Sequence, residues 1–396
     1  ASLTTLTWPR GCNEKKRKAP FASQSPRQLS LRLCTWLKRQ PLSMGNHLTL
    51  AVAGSRKTQG LVEHCAGLPP SRRVLVVTFT QRNQQELIGR LSTYAGQQTK
   101  IEVMGWFTLL LRHFTKPFLP FAFPGKKVLG FDYDGIPYRF AKGWARFFNS
   151  SGAVYASELS HLAHDLIEQS GGALFFRLQS MYDEILVDEV QDLSGWDWQI
   201  LKKLFDSPIE IRMVGDVRQS VLSTSPRTRK NKQYAYSQAI DWFLEMQKRG
   251  AMELEFRSTT WRCGPGIAAF SDTIFDPKWE FPPTESLNLT ETDHDGMYLV
   301  AQRHVMDYVK RYNCRCLRVS SASGRQFDLD YVNFKVAKGA TYERVLIIAT
   351  GPITKFLQKG TALEPGPAAA FYVAVTRAKQ SVAIVLDKAG QSEIPL

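Results

Sequence analysis

The sequence predicts an α/β protein built on a parallel sheet, and three stretches carry that reading. Leu48–Val52 is a short apolar run that opens into Ala53-Gly54-Ser55-Arg56-Lys57-Thr58 and a helical segment reaching about Cys65. Ile185–Val187 is a second apolar run, ending in the adjacent carboxylates Asp188 and Glu189. Ile209–Val214 is a third, ending in Gly215-Asp216-Val217-Arg218-Gln219. Uninterrupted apolar runs of this length are the pattern of strands buried on both faces. Gln219 follows Asp188 by 31 residues, which suits two adjacent strands with a helix between them.

Length and composition bound the rest. A chain of 396 residues can form two or three domains with real cores. Apolar content of 43% and charged content of 22% are ordinary for a globular protein, and no apolar run approaches the ~20 residues that span a bilayer. The six cysteines are scattered; Cys314 and Cys316 fit no common metal-ligand spacing. Reduced thiols and a cytoplasmic location are expected. The net charge of +15 is compatible with a polyanionic partner. Residues 1–43 hold nine Lys/Arg against Glu14 alone, leaving +7 for the remainder. With Pro9, Pro20, Pro26 and Pro41 and little apolar periodicity, this segment reads as a basic flexible arm, with room for a short helix at Leu29–Leu37. It also reads as an organelle presequence, or as a non-native extension ahead of a start at Met44, which is the reading preferred here.

The first stretch has the chemistry of a phosphate-binding loop. Backbone N–H groups and a helix N-terminus surround phosphates, Lys57 reaches the terminal ones, and Thr58 ligates magnesium. Arg56 stands where glycine usually lets the backbone approach phosphate. At the second stretch, Asp188 is placed to hold magnesium while Glu189 activates a water, although a solvated strand end has the same pattern. Val74–Val77 and Ile101–Met104 are further strands, running into Thr78-Phe79-Thr80 with a helix at Gln84–Leu91, and into Gly105-Trp106-Phe107-Thr108 with a helix at Leu109–Arg112. From about 116 to 172 the pattern loosens. Phe118, Phe121, Phe123, Phe131, Tyr133 and Tyr138, with Arg139, Lys142 and Arg146, suit either a stacking platform for single strands or a compact aromatic core. Helices at about 156–169 and 173–181 return the chain to Ile185.

Asp188-Glu189-Val190-Gln191-Asp192 resembles the second motif of the UvrD/Rep-type superfamily 1 helicases, where Asp-Glu-x-Gln-Asp is diagnostic. The other stretches follow in that family's order over about residues 47–386. Thr78 and Phe79, then Trp106 and Phe107, match its DNA-contacting motifs, with Thr108 in place of a histidine. Gly215-Asp216-x-x-Gln219 matches its third motif, without the base-stacking aromatic that usually follows; a basic loop with Arg227, Arg229, Lys230 and Lys232 takes its place. Trp261-Arg262 matches the fourth. Val332–Gly339 and Thr341 match the fifth, with Lys335 for the common histidine and Thr341 for a ribose-binding glutamate. Val373-Ala374-Val375-Thr376-Arg377-Ala378 matches the sixth. No glutamine stands where the family reads adenine: Gln40 is too near Lys57 and Gln28 too far.

The resemblance implies an α/β fold of two RecA-like P-loop NTPase domains with parallel sheets, at 44–252 and 253–396, and a small inserted helical subdomain at about 116–172. It is a compact pattern, since 276–330 is too short for the family's large accessory domain. ATP and Mg2+ are the implied cofactors. Ala53, Gly54, Ser55, Arg56, Lys57, Thr58, Gly339 and Thr341 would bind ATP, with Thr58 and Asp188 on the metal. Glu189, Gln219, Arg262 and Arg377 would be catalytic, the two arginines at the γ-phosphate. Thr78, Phe79, Trp106, Phe107, Arg227, Arg229 and Lys230 would meet single-stranded or partly duplex DNA. The implied activity is an ATP-dependent helicase or 3′-to-5′ translocase; the alternatives are a DNA-stimulated ATPase switch that loads a partner nuclease in an antiviral defence complex, and a nucleotide-dead binding module. Removing residues 1–43 is expected to leave folding and ATP hydrolysis intact while weakening DNA binding through the lost charge; a large drop in melting temperature would show that the arm packs on the core.

Overall fold

The computed structural model describes residues 45–94, 100–224 and 230–396. The strands β1 (His47–Ala51), β2 (Val74–Thr78) and β3 (Ile101–Gly105) alternate with helices α1 (Lys57–Gly67) and α2 (Gln81–Tyr94). A small insertion follows, containing β4 (Gly130–Asp132), β5 (Ala153–Tyr155) and α3 (Leu159–Gln169). The chain then re-enters the sheet through β6 (Glu184–Val187), α4 (Asp197–Phe205), β7 (Glu210–Gly215) and β8 (Glu253–Arg257). The first sheet has the order β3-β2-β6-β7-β1-β8, and each neighbouring pair is parallel.

This order sets the site. The carboxyl ends of β6, β7 and β1 lie side by side, with Leu50 opposite Gly215 and Val187 opposite Met213. The loops that follow these strands therefore emerge at one rim. β1, β2, β6 and β7 are buried on both faces. α1 and α2 cover one face through Leu61, Val62, Leu87 and Leu91. α4, Trp242, Phe243 and the insertion cover the other.

Residues 259–396 form a second α/β unit. β9 (Thr259–Thr260) and β10 (Glu285–Ser286) make a short parallel ribbon. β11 (Gly296–Val300), β12 (Arg315–Arg318), β13 (Tyr331–Asn333), β14 (Tyr342–Ile348), α5 (Pro365–Val375) and β15 (Ala378–Val385) follow. The second sheet runs β11-β15-β14-β12-β13, again all parallel. The stretch 276–330 supplies its β11 and β12.

Three expectations are corrected. The first sheet extends past 252, because β8 pairs with β1 from His47 to Ala51. The insertion is mixed, since β4 and β5 form a parallel ribbon beside its helices. After Gly105 the chain makes one α-turn, Trp106–Leu109, and then a π-helix, Leu110–Thr115. Trp106 itself is buried, and its indole N–H donates to Asp197 Oδ1 at 2.7 Å. Asp197 also accepts from Ser160 Oγ at 2.5 Å, from Thr224 Oγ1 and from the Ser194 N–H at 3.3 Å. Burial pushes this carboxyl up, and its donors oppose that shift. The cluster ties β3's exit, the insertion and α4 together. Asp197→Ala would strand those buried donors, so a loss of about 3 kcal/mol is expected; a urea midpoint within error of wild type would contradict this role.

Candidate nucleotide site between two sheets

The turn after β1 is shaped by two left-handed residues. Gly54 has φ 79° and Arg56 has φ 60°. A Cβ on Gly54 would lie 2.5 Å from Arg262 Cβ and 2.6 Å from Thr260 Oγ1, so only glycine lets the second unit approach here. That approach is bonded: Thr260 Oγ1 donates to Ala53 O at 2.7 Å, and the Trp261 N–H donates to Gly54 O at 3.1 Å. Arg56 thus holds a left-handed backbone that glycine adopts freely and other residues rarely do, at a cost of about 1 kcal/mol. Its guanidinium lies over the Trp261 ring, 4.9 Å from the centroid.

These residues line a cavity of about 390 Å³. Gly54–Thr58, Asp188, Glu189 and Gln219 face it from the first unit; Arg262, Gly339, Thr341 and Arg377 face it from the second. Ala53 stands behind the loop, its N–H donating to Tyr372 Oη at 3.3 Å. Gly339 has φ 85°, the left-handed turn that brings its loop to the cavity. Twelve of the thirteen residues expected at nucleotide, metal or catalytic positions thus share one wall system, with Ala53 directly behind it.

The electrostatics favour an anion. Arg262 Nη1 donates to Thr376 O at 3.2 Å, and Arg377 donates to Gln219 Oε1 at 2.9 Å and Val373 O at 2.9 Å, all neutral acceptors. Burial lowers the Arg377 guanidinium to about 9, with the neighbouring Arg262 cation adding to the shift. A buried arginine pair of this kind is relieved by negative charge between its members. The Ser55 hydroxyl is buried in the same loop without a partner, which fits a phosphate oxygen.

The acids are differentiated. Burial and the adjacent Glu189 raise Asp188. Burial also opposes the charged form of Glu189, but the Lys338 and Lys57 ammoniums outweigh it and hold that carboxyl low. Thr58 Oγ1 donates to Asp188 Oδ2 at 3.2 Å. A hydroxyl and one carboxylate beside a phosphate cradle fit Mg2+, which takes few protein ligands and completes its shell with phosphates and water.

Lys338 was not foreseen as a site residue. It crosses from the second unit to Asp192, 2.7 Å away, and to Glu189 Oε2 at 3.3 Å. The sequence offered only a lysine within the fifth motif, 146 residues from Asp192. Gln191 is a second such residue: its amide donates to Glu189, and its oxygen accepts from the Asp216 N–H at 3.0 Å.

The expected DNA contacts are less uniform. Thr78 and Trp106 are buried, so neither presents a surface to a base; for Trp106 the indole is spent on Asp197. Phe79 and Phe107 are half-buried, with ring centroids 6.2 Å apart. Arg227 and Arg229 lie outside the described residues. Lys230 stands over Trp196 and lines a second cavity of about 360 Å³ with Lys232, Tyr234, Tyr236 and Lys335.

Two parallel α/β units thus face one cavity lined by the loop after β1, an acid pair and two arginines. Residues 136–223 match the family model described as the UvrD/REP helicase N-terminal domain. That match lies within the first α/β unit and its insertion, and it includes the acid pair and Gln219. Among solved structures it is similar to the Arterivirus nonstructural protein 10 helicase, at 15% identity over 87% of this chain and 60% of that one, with a TM-score of 0.45. The complex of that helicase with DNA gives 14% identity, 87% and 61% coverage and a TM-score of 0.44. The chain thus spans about 60% of those structures' length. No curated protein matches. Among the described residues no helix is long and apolar enough to cross a membrane. Gly54→Ala is expected to push the Thr260–Arg262 segment away and weaken ATP binding at least tenfold, about 1.4 kcal/mol; unchanged affinity in a nucleotide titration would show that the units need not meet at this loop.

Proposed function

We propose that this chain is an ATP-dependent single-stranded DNA translocase and helicase of 3′-to-5′ polarity. The observation that carries the reading is the convergence of Lys57, Glu189 and Gln219 from one unit with Arg262 and Arg377 from the other on a single cavity. Lys57 and the first-turn N–H groups of α1 bind the phosphates. Glu189, kept ionised by Lys338, takes the proton of the attacking water as its oxygen bonds to the γ-phosphorus and the bond from that phosphorus to the β–γ bridging oxygen breaks, with ADP leaving. Arg262 and Arg377 stabilise the charge that develops on the transferring group. Mg2+ held by Thr58 and Asp188 would neutralise phosphate charge. Trp261, 40% exposed at the cavity wall, offers a flat face for a base.

The second cavity has cations from both units, Lys230, Lys232 and Lys335, and suits a strand of nucleic acid. Gln191 lines this cavity while bonded to Glu189, which offers a route by which an occupied groove alters hydrolysis.

Steady-state hydrolysis with and without single-stranded DNA tests the proposal. Wild type is expected to hydrolyse ATP, with stimulation by DNA. Glu189→Gln should retain ATP affinity and lose about 10²–10⁴ in turnover; wild-type turnover in that variant would remove Glu189 from the mechanism. Arg56 lies on Trp261 with the backbone of a glycine, so Arg56→Gly should change turnover less than tenfold, about 1.4 kcal/mol of barrier. An inactive wild type revived by that substitution would contradict an active motor.

A further inference from the structure

The insertion divides its aromatic residues into two groups. Phe118, Phe147 and Phe148 are buried, and Phe123 and Trp144 pack on them, with Trp144 stacked on Phe148 at 3.7 Å. That group is the insertion's own core. The other group is turned outward on one loop: Tyr133 is 72% exposed, Tyr138 73% and Phe140 68%. Among the described residues, Tyr138 and Phe140 join none of the buried clusters, and Tyr133 rests edge-on against Phe131.

We infer that the loop 133–142 is a stacking surface for single-stranded nucleic acid, continuous with Phe79 and Phe107 on the first sheet. The inference rests on the nucleic-acid partner proposed above and adds a binding surface to it. Continuity is seen in the rings. Phe79 meets Phe107 at 6.2 Å, Phe107 meets Phe131 at 5.9 Å, and Phe131 meets Tyr133 at 4.5 Å. Beyond Tyr133 the same loop presents Tyr138 and Phe140, whose centroids lie 5.8 Å apart.

Charge selects the occupant. Between Lys116 and Arg146 six Lys/Arg stand against two acids, Asp132 and Asp134. Asp132 is already engaged, accepting from the Gly135 N–H at 2.7 Å and from Asn149 Nδ2 at 2.8 Å. Arg139, between Tyr138 and Phe140, and Lys142, two residues beyond Phe140, are exposed, and the Arg139 guanidinium lies over Phe140 at 5.4 Å. Rings alternating with cations match a polymer of bases joined by phosphates. A duplex keeps its base faces stacked internally, so an unpaired strand is the form that fits.

The test is equilibrium binding of the full chain to fluorescein-labelled dT20 and rU20, read by anisotropy over a series of salt concentrations. Tyr138→Ala/Phe140→Ala is expected to weaken binding at least fivefold with an unchanged salt slope, since stacking carries no counterion release. Arg139→Ala/Lys142→Ala is expected to flatten the slope of log affinity against log salt by about 1.4, from ~0.7 per phosphate contact on single strands. Loss on both oligomers assigns the surface to unpaired nucleic acid generally, and loss on one alone assigns it to that sugar. Both double variants should keep wild-type ATP hydrolysis without DNA, which checks their fold. Affinities and slopes equal to wild type in both variants overturn the inference and leave the motor reading standing. Failure of wild type to bind either oligomer overturns both.

Discussion

A chain of hydrogen bonds through Gln191 holds the site together across the cleft. Its amide donates to Glu189, and its oxygen accepts from the Asp216 N–H. Gln219 Nε2 donates to Asp216 Oδ2 at 2.8 Å, and Arg377 Nη2 donates to Gln219 Oε1 at 2.9 Å. The carboxylate assigned to water activation is thus connected to an arginine of the opposite unit through side chains and one backbone amide. The chain has room only because residue 215 is glycine: a Cβ there would lie 2.5 Å from Gln191 Oε1. Displacing Gln191 would break both of its links at once.

Two further contacts stiffen this frame. Tyr372 on α5 donates to Asp216 Oδ2 at 3.3 Å while accepting from the Ala53 N–H, so one hydroxyl touches the loops after β1 and β7 from the second unit. Lys338 binds Asp192 and Glu189 in a buried cluster. Removing one member of a buried ion pair commonly costs about 3–5 kcal/mol, because the partner charge stays behind. The cleft is therefore organised by buried polar contacts made from both units.

Much of this was legible in the sequence because it is local. Strand runs at 48–52, 185–187 and 209–214, each followed by its polar loop, carry their own signal, and parallel pairing brings the loops to one rim. What escaped was non-local. Lys338 and Asp192 become partners only when the two units meet. Trp106 sat in a motif expected to face DNA, but its neighbour in space is Asp197, which no spacing rule brings to mind. The aromatic residues of the insertion left two readings open, and the fold uses both: Phe147 and Phe148 inward, Tyr138 and Phe140 outward. β8 followed an expected boundary at 252, and its pairing with β1 depends on sheet order rather than composition.

The central claim is that two α/β units jointly form one nucleotide site. Calorimetric titration of the folded chain with a non-hydrolysable ATP analogue in Mg2+ tests it most directly, because binding requires neither turnover nor DNA. The account predicts saturable binding at a single site that is lost when Mg2+ is chelated. A chain that melts cooperatively yet takes up no analogue would contradict it.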